Sequence, residues 1–116
     1  AADIGLRYFI LGTKQADMGH ILENIVYLEL IRRGYEVHIG KVGDAEVDFI
    51  AIGAEGEEYY QVSQTVLEEQ TLKRELSSLD AIKDHNPKYL LTMDYTPLTS
   101  YNGIKQVNVL EWLLKK

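Results

Sequence analysis

One stretch, residues 46–64, constrains the fold of this chain more than any other. The run 46–52 has strand periodicity: Val47, Phe49 and Ala51 alternate with residues that include two acids. The turn Gly53-Ala54-Glu55-Gly56 follows, and the return run 57–64 is rich in aromatic and β-branched residues. A glycine-containing turn between two such runs predicts a β-hairpin.

The polar residues of this hairpin fall on one face. A symmetric turn places residues whose numbers sum to 109 opposite each other, and opposed residues project to the same side of a sheet. Asp48 then faces Gln61, and Glu46 faces Ser63. This is an unusual polar cluster for two strands that are otherwise suited to burial.

The opposite face of the hairpin is expected to enter the core. Val47 and Phe49 alternate with Asp48, so the pattern places both on the side away from it. The expected partners are the apolar residues of the second helix, which are Leu72, Leu76 and Leu79.

A long helix is predicted before the hairpin. Asp17 is a suitable N-cap, the helix runs from about Met18 to Arg33, and Gly34 follows as the C′ residue. Most of its surface is apolar, which predicts a central position. Glu23 therefore places a carboxylate on a face that is expected to be buried.

A second helix is predicted after the hairpin. Residues 65–68 have a capping-box sequence, and residues 85–87, ending in proline, terminate the helix. By helical spacing Glu75 falls within its apolar stripe, Lys73 lies on the flank of the stripe, and Arg74 lies nearly opposite.

The rest of the chain completes one mixed α/β domain. Residues 3–11 form a short amphipathic element, 88–93 a strand buried on both faces, and 94–103 a loop. A last strand, 104–109, and a terminal helix, 110–116, follow. The predicted order is helix, three-stranded meander, helix, two strands and helix.

Composition limits the class of protein. The 116 residues suit a single domain, and 12 basic against 18 acidic residues give a net charge of −6, which excludes a general polyanion binder but not a local basic patch. The absence of cysteine excludes thiolate metal sites and suits a reducing, cytoplasmic setting. No membrane span or signal peptide is visible, and the missing initiator Met indicates a fragment of a longer protein.

The order of these elements, with an acid inside the first helix and an aspartate on the second strand, resembles the PD-(D/E)XK nuclease superfamily. The segments GHILENIVYLELIRRGYEVHIGK, EVDFIA, YYQVS and KRELSSLDAIKDHNPKYLLTMD resemble more closely one branch of it. That branch is the C-terminal domain of unknown function that follows a P-loop (AAA-type) ATPase domain in bacterial and archaeal proteins. The resemblance implies that residues 1–116 form a restriction-endonuclease-like core, with a central mixed sheet, made of an antiparallel meander and further strands, flanked by helices.

The resemblance also implies site residues. Its metal-binding and catalytic positions correspond to Glu23, Asp48, Gln61 and Ser63, with Glu23, Asp48 and Gln61 as Mg²⁺ ligands. Gln61 replaces an acid, which removes ligand charge, and Ser63 replaces the lysine that would stabilise a developing negative charge. Lys73, on the following helix, is the candidate for a migrated lysine.

The leading functional hypothesis is a non-catalytic accessory domain of a P-loop ATPase that mediates partner, DNA or oligomer contacts, with Mg²⁺ binding weak or absent. One alternative is an active Mg²⁺-dependent DNA nuclease that uses Glu23, Asp48, Gln61 and Lys73. Another is a purely structural interaction domain, which the acidic net charge favours over DNA binding. Because the chain contains no Gly-x-x-x-x-Gly-Lys-Ser/Thr loop, no nucleotide site is predicted within it.

Overall fold

The predicted hairpin lies on one side of a six-stranded mixed sheet that has helices packed on both faces. The computed structural model describes residues 15–43, 45–95 and 99–115, so the element expected at 3–11 lies outside the described residues. The strand order is β1-β2-β3-β4-β6-β5. In chain order the elements are α1 (Gln15–Arg32), β1 (Glu36–Val42), β2 (Ala45–Gly53), β3 (Gly56–Val62), α2 (Glu69–Asp80), β4 (Lys88–Thr92), β5 (Thr99–Tyr101), β6 (Ile104–Asn108) and α3 (Val109–Leu114).

The register predicted for the hairpin is confirmed. The paired residues of β2 and β3 run from Phe49 opposite Tyr60 to Gly53 opposite Gly56, and each pair sums to 109. Gly56 has a φ of +128°, a conformation that only glycine adopts without strain, so the turn depends on it.

A β-bulge separates the two halves of β2. His38 of β1 pairs with Ile50 and Gly40 pairs with Val47, so Asp48 and Phe49 together oppose Ile39 alone. The extra residue reverses the alternation of faces along β2.

The prediction that Val47 and Phe49 share a face is therefore wrong. Val47 packs in the cluster that contains Leu79 of α2, whereas Phe49 packs against α1, with its ring centroid 6.0 Å from that of Tyr27. Asp48 lies between these two halves of the core. The bulge thus places the predicted site residue at the point where the strand changes faces.

Helix α1 ends as the sequence indicates but begins earlier. Gly34 has a φ of +92°, and the N–H groups of Gly34 and Tyr35 donate to the carbonyls of Ile31 and Leu30, at 3.0 and 3.1 Å. These two bonds form a Schellman motif. Asp17 lies inside the helix, which begins at Gln15, so its prediction as the N-cap is wrong.

The capping box predicted for the second helix does not form. Helix α2 begins at Glu69, after the 65–68 segment, and the side chain of its N-cap residue Glu68 makes no capping hydrogen bond. Thr65 instead donates its hydroxyl to Asp94 Oδ1 at 2.7 Å, and Val66 N–H donates to Asp94 Oδ2 at 2.9 Å. This pairing ties the end of the hairpin to the loop after β4.

The parallel part of the sheet lies beside the hairpin. Strand β4 pairs in parallel with β3 and β6, and Leu90, Leu91 and Thr92 are fully buried, as predicted for this run. The segment predicted as the loop 94–103 contains the short edge strand β5, which pairs antiparallel with β6. None of the described helices is long and apolar enough to cross a membrane.

Candidate functional site

Side chains replace the backbone ladder where β2 and β3 separate. The last backbone pair of the hairpin is Phe49–Tyr60. Beyond it, Asp48 N–H donates to Gln61 Oε1 at 2.6 Å, and Val62 N–H donates to Asp48 Oδ2 at 2.8 Å. Asp48 and Gln61 therefore satisfy backbone donors that would otherwise be left unpaired at the bulge.

A third side chain joins them from α2. Gln61 is buried, at 6% exposure, and its Nε2 donates to Glu75 Oε2 at 3.2 Å. Glu75 Oε1 lies 3.8 Å from Nη2 of Arg74. The carboxamide of Gln61 thus bridges the backbone of Asp48 and the carboxylate of Glu75, with its oxygen toward the donor and its nitrogen toward the acid.

The carboxylates in this region disfavour one another's charge. Burial raises the pKa of Asp48 from 3.8 to about 6, Glu23 adds to the rise, and the hydrogen bond from Val62 opposes it. Burial is also the main cause of the raised pKa of Glu75. The charge of Asp48 raises this pKa further, and the charge of Arg74 lowers it. Three acids from α1, β2 and α2 therefore lie within electrostatic reach of one another.

Asp48 lies between two grooves. The α1 groove, of about 370 Å³, contains Asp48 together with Glu23, His20 and Tyr27 of α1. The α2 groove, of about 460 Å³, contains Asp48 together with Gln61, Arg74, Glu75 and Ser78. The exposed side chain of Ile39 lines both grooves, so the bulge forms the rim between them.

Of the residues identified from the sequence, Asp48 shares the α1 groove with Glu23 and the α2 groove with Gln61, whereas Ser63 and Lys73 do not join them. Ser63 Oγ donates to the carbonyl of Thr65 at 3.0 Å, and Ser63 lines neither groove. The side chain of Lys73 is 73% exposed, and its Nζ lies 3.2 Å from Glu69 Oε1, one turn back along α2.

Glu46 also departs from the predicted cluster. Its side chain is 78% exposed at the rim of the α2 groove, and its carboxylate lies 4.0 Å from Nζ of Lys41 on the neighbouring strand. This agrees with a charge at the edge of the sheet.

Sequence reasoning missed two residues of the site. The helical wheel placed Arg74 away from the sheet, but its long side chain lines the α2 groove. No site role was predicted for Glu75, yet its side chain is only 15% exposed and its carboxylate accepts a hydrogen bond from Gln61. The available signal was an acid within the apolar stripe of an otherwise amphipathic helix.

The residues of the site do not fit a Mg²⁺ ion. Among the described residues, no group of three or more His, Cys, Asp or Glu side chains is arranged to hold a metal. Two oxygens of the predicted ligands accept hydrogen bonds from the protein, Asp48 Oδ2 from Val62 and Gln61 Oε1 from Asp48. The third predicted ligand, Glu23, lines the α1 groove, whereas Gln61 lines the α2 groove. Mg²⁺ demands near-octahedral oxygen geometry, and the described side chains offer no cluster of acids arranged for it.

The raised pKa of Asp48 predicts a pH-dependent stability. The pKa of Asp48 is about 6 in the folded protein and 3.8 in the unfolded chain, so the folded state binds the proton more tightly. The stability that this carboxyl contributes is therefore greatest below about pH 4, and it is lost as the pH rises through about 6. Asp48→Asn retains an oxygen acceptor for Val62 and removes the charge. We expect it to raise the free energy of unfolding at pH 7 by about 1–2 kcal/mol, allowing for partial solvent screening, and to change it little at pH 4.

Urea denaturation of both proteins from pH 4 to pH 8 measures this difference. Glu46→Gln is the matched control, because it changes an exposed acid on the same strand, and it should leave the stability nearly constant. A gain from Asp48→Asn that is the same at both pH values would contradict the assignment of the effect to the charge.

Comparison with known proteins adds one relative. An "Uncharacterized protein" of Haemophilus influenzae is 42% identical over 113 residues, which cover 97% of this chain and 28% of that protein. The chain therefore matches a part of a longer relative. No protein-family model matches the chain, and no solved structure is significantly similar to it.

Proposed function

We propose that this chain is a restriction-endonuclease-like accessory domain of a larger P-loop ATPase, in which the former nuclease site now has a structural role. The mixed sheet, the acid on α1 and the aspartate on the second strand of the meander support the PD-(D/E)XK relationship. In this proposal the domain makes contacts for the longer protein and does not cleave nucleic acid.

The observation that carries the proposal is the position of Gln61. Its carboxamide occupies the place that the resemblance assigns to an acidic metal ligand, and both of its ends are bound within the protein. An acid at this position would face Glu75 without a proton to donate. Glutamine removes that repulsion, which is useful for a stable fold and unfavourable for binding a cation.

The two positions predicted for the lysine, 63 and 73, place no lysine in either groove, which supports the same conclusion. Ser63 carries no charge, and Lys73 is directed to solvent and paired with Glu69. Removing one electrostatic stabiliser from an active site typically costs about 10²–10³ in rate. A site that lacks both a ligand charge and a positioned lysine is therefore a poor catalyst.

Contacts within a longer assembly are the role that remains. The match to 28% of a longer relative supports a domain that works beside other domains. Leu28 and Ile31 on the outer side of α1 are 64% and 45% exposed, and Ile39 on β1 is 74% exposed. A protein contact would bury Leu28 and Ile31, which are neighbours three residues apart on α1, and the net charge of −6 favours a protein or a second copy over DNA.

Cleavage of DNA tests this proposal. With Mg²⁺ or Mn²⁺ we expect the chain to leave linear and supercoiled DNA intact, and calorimetry to detect no tight binding of either ion. The variant that carries Gln61→Glu and Ser63→Lys adds one ligand charge and one positive charge, and we expect it to bind Mg²⁺ more tightly than the parent because of the added carboxylate.

Stability must be matched in this comparison, because a partly buried lysine destabilises a domain when it lacks partners. Cleavage by the parent that Asp48→Ala abolishes and Lys73→Ala severely reduces would overturn the proposal. That result would indicate instead that the chain is an active Mg²⁺-dependent nuclease that uses Glu23, Asp48, Gln61 and Lys73.

A further inference from the structure

A third concave surface, the aromatic cleft, lies on the α1 face of the sheet, toward the end of β3 that is remote from Asp48. It has a volume of about 310 Å³, within the range of small-molecule sites. Tyr35, Glu58 and Tyr89 line it and are partly exposed, and Lys105 and Lys115 line it and are exposed.

The floor of the cleft is a row of side chains across three parallel strands. Tyr60 of β3 pairs with Tyr89 of β4, which pairs with Lys105 of β6, so the three project side by side from one face. The rings of Tyr60 and Tyr89 stack with centroids 5.0 Å apart, and Trp112 of α3 packs on Tyr60 at 5.7 Å. The packing holds Tyr89 in a fixed orientation, which favours recognition of a flat ligand.

A carboxylate is fixed at one end of this row. Tyr60 Oη donates to Glu58 Oε1 at 2.8 Å, and Tyr35 lines the same cleft as this carboxylate. A carboxylate offers about four acceptor positions, so Glu58 retains capacity for donors on a ligand. The Tyr35 ring is positioned by Gly53, where an added Cβ would lie 2.8 Å from Tyr35 Cε1.

Ammonium groups also line the cleft, with Lys105 at the β6 end of the row. Lys105 and Lys115 are exposed, and neither forms an ion pair within residues 15–43, 45–95 and 99–115. Arg33 donates from Nη2 to the carbonyls of Trp112 and Lys115, at 2.7 and 2.6 Å, and its guanidinium lies 4.4 Å from the Trp112 ring centroid. These bonds fix the end of α3 and keep Lys115 beside the cleft.

We propose that the aromatic cleft binds a mononucleotide, with its base against Tyr35 and Tyr89, ring donors on Glu58, and its phosphate on Lys105 and Lys115. From β3 to β6 is two strand spacings, about 10 Å, which suits the span from the base edge to the phosphate. Guanine is favoured among the bases, because its adjacent N1–H and N2–H groups match a carboxylate, which accepts hydrogen bonds and donates none.

This proposal departs from the sequence-based expectation that the chain has no nucleotide site. That expectation rested on the absence of a glycine-rich P-loop, which cradles phosphates with backbone N–H groups. The aromatic cleft uses side chains on a sheet instead: stacked rings for the base and lysines for the phosphate. It also lies apart from Asp48 and is independent of the function proposed above.

Fluorescence titration tests binding directly, since Trp112 is the single tryptophan of the chain and lines the cleft. We expect GMP to change its emission saturably and to bind more tightly than AMP or UMP, with calorimetry giving the same affinities. No saturable binding of any of these nucleotides at millimolar concentration, by either method, would overturn the proposal.

Substitutions test which side chains contact the phosphate and which contact the base. The double change Lys105→Ala and Lys115→Ala should weaken GMP binding about tenfold and leave guanosine binding unchanged. Glu58→Gln should reduce the preference for GMP over AMP to within about twofold. Lys83→Ala removes an exposed lysine outside the cleft and is the matched control. If neither the double variant nor Glu58→Gln changes GMP binding, these residues do not bind the nucleotide and the proposal is overturned.

A short guanine oligodeoxynucleotide distinguishes a free mononucleotide from a base within a strand. The acidic chain should bind the strand no more tightly than GMP. A strand that binds at least tenfold more tightly than GMP, and loses that advantage in high salt, would overturn the mononucleotide as the ligand.

Discussion

Phe49→Ala is expected to lower the free energy of unfolding by about 3–5 kcal/mol. The ring is 4% exposed and packs in the cluster that contains Leu22, Val26 and Leu30 of α1, each fully buried. Truncation removes its apolar contacts and leaves a cavity that a helix and a sheet cannot readily close. Urea denaturation of the two proteins measures the loss.

The direction that Phe49 faces is tested by double-mutant cycles. Phe49→Ala combined with Tyr27→Ala should be non-additive, since the two rings are in contact, whereas Phe49→Ala combined with Leu79→Ala should be close to additive. If Phe49 were coupled to Leu79 and not to Tyr27, its ring would pack on the α2 face of the sheet, contrary to the structure. A loss below about 1 kcal/mol for the single change would contradict its burial.

Gln61→Glu is expected to destabilise the fold by about 2–4 kcal/mol at pH 7. The change removes the Nε2 donor to Glu75 and adds a carboxylate beside two acids whose pKa values are already raised, chiefly by burial. Lowering the pH to 5 should recover part of the loss, because a protonated carboxyl again donates to Glu75. Thermal and urea denaturation at both pH values measure the effect.

Gln61→Met is the matched control. It removes both hydrogen bonds without adding charge, so its cost should vary much less between pH 5 and pH 7. If the glutamate variant is as stable as the parent at pH 7, the bridging role assigned to Gln61 is incorrect. Recovery of the glutamate variant by millimolar Mg²⁺, with none for the methionine variant, would support descent from an ion-binding site.

The parts of the fold that the sequence predicted are those determined by local chemistry. The hairpin register depends on a turn whose glycine must adopt a positive φ, and the end of α1 depends on Gly34 in the same way. Both are decided within a few residues. The meeting of Glu23 and Asp48 in one groove follows once α1 packs on the hairpin.

The parts that failed depend on tertiary contacts. Nothing in the alternation of 46–52 marks the bulge, which results from pairing with β1 and reverses the core faces at Asp48. The hydroxyl of Thr65 binds Asp94, 29 residues away in sequence, in preference to capping a helix. Arg74 reaches its groove through the length of its side chain, which a helical wheel does not represent.

The bulge also determines which insertions and deletions β2 can accept during evolution. Residues added at the turn 53–56 lengthen the hairpin at its exposed tip and leave both faces of the sheet unchanged. Removal of one residue at 48 or 49 would regularise the pairing with β1 and rotate one half of the strand, exposing either Val47 or Phe49. We therefore expect descendants of this sequence to vary in length at the turn and to keep the same number of residues between Val47 and Ile50, whatever becomes of the acid at 48.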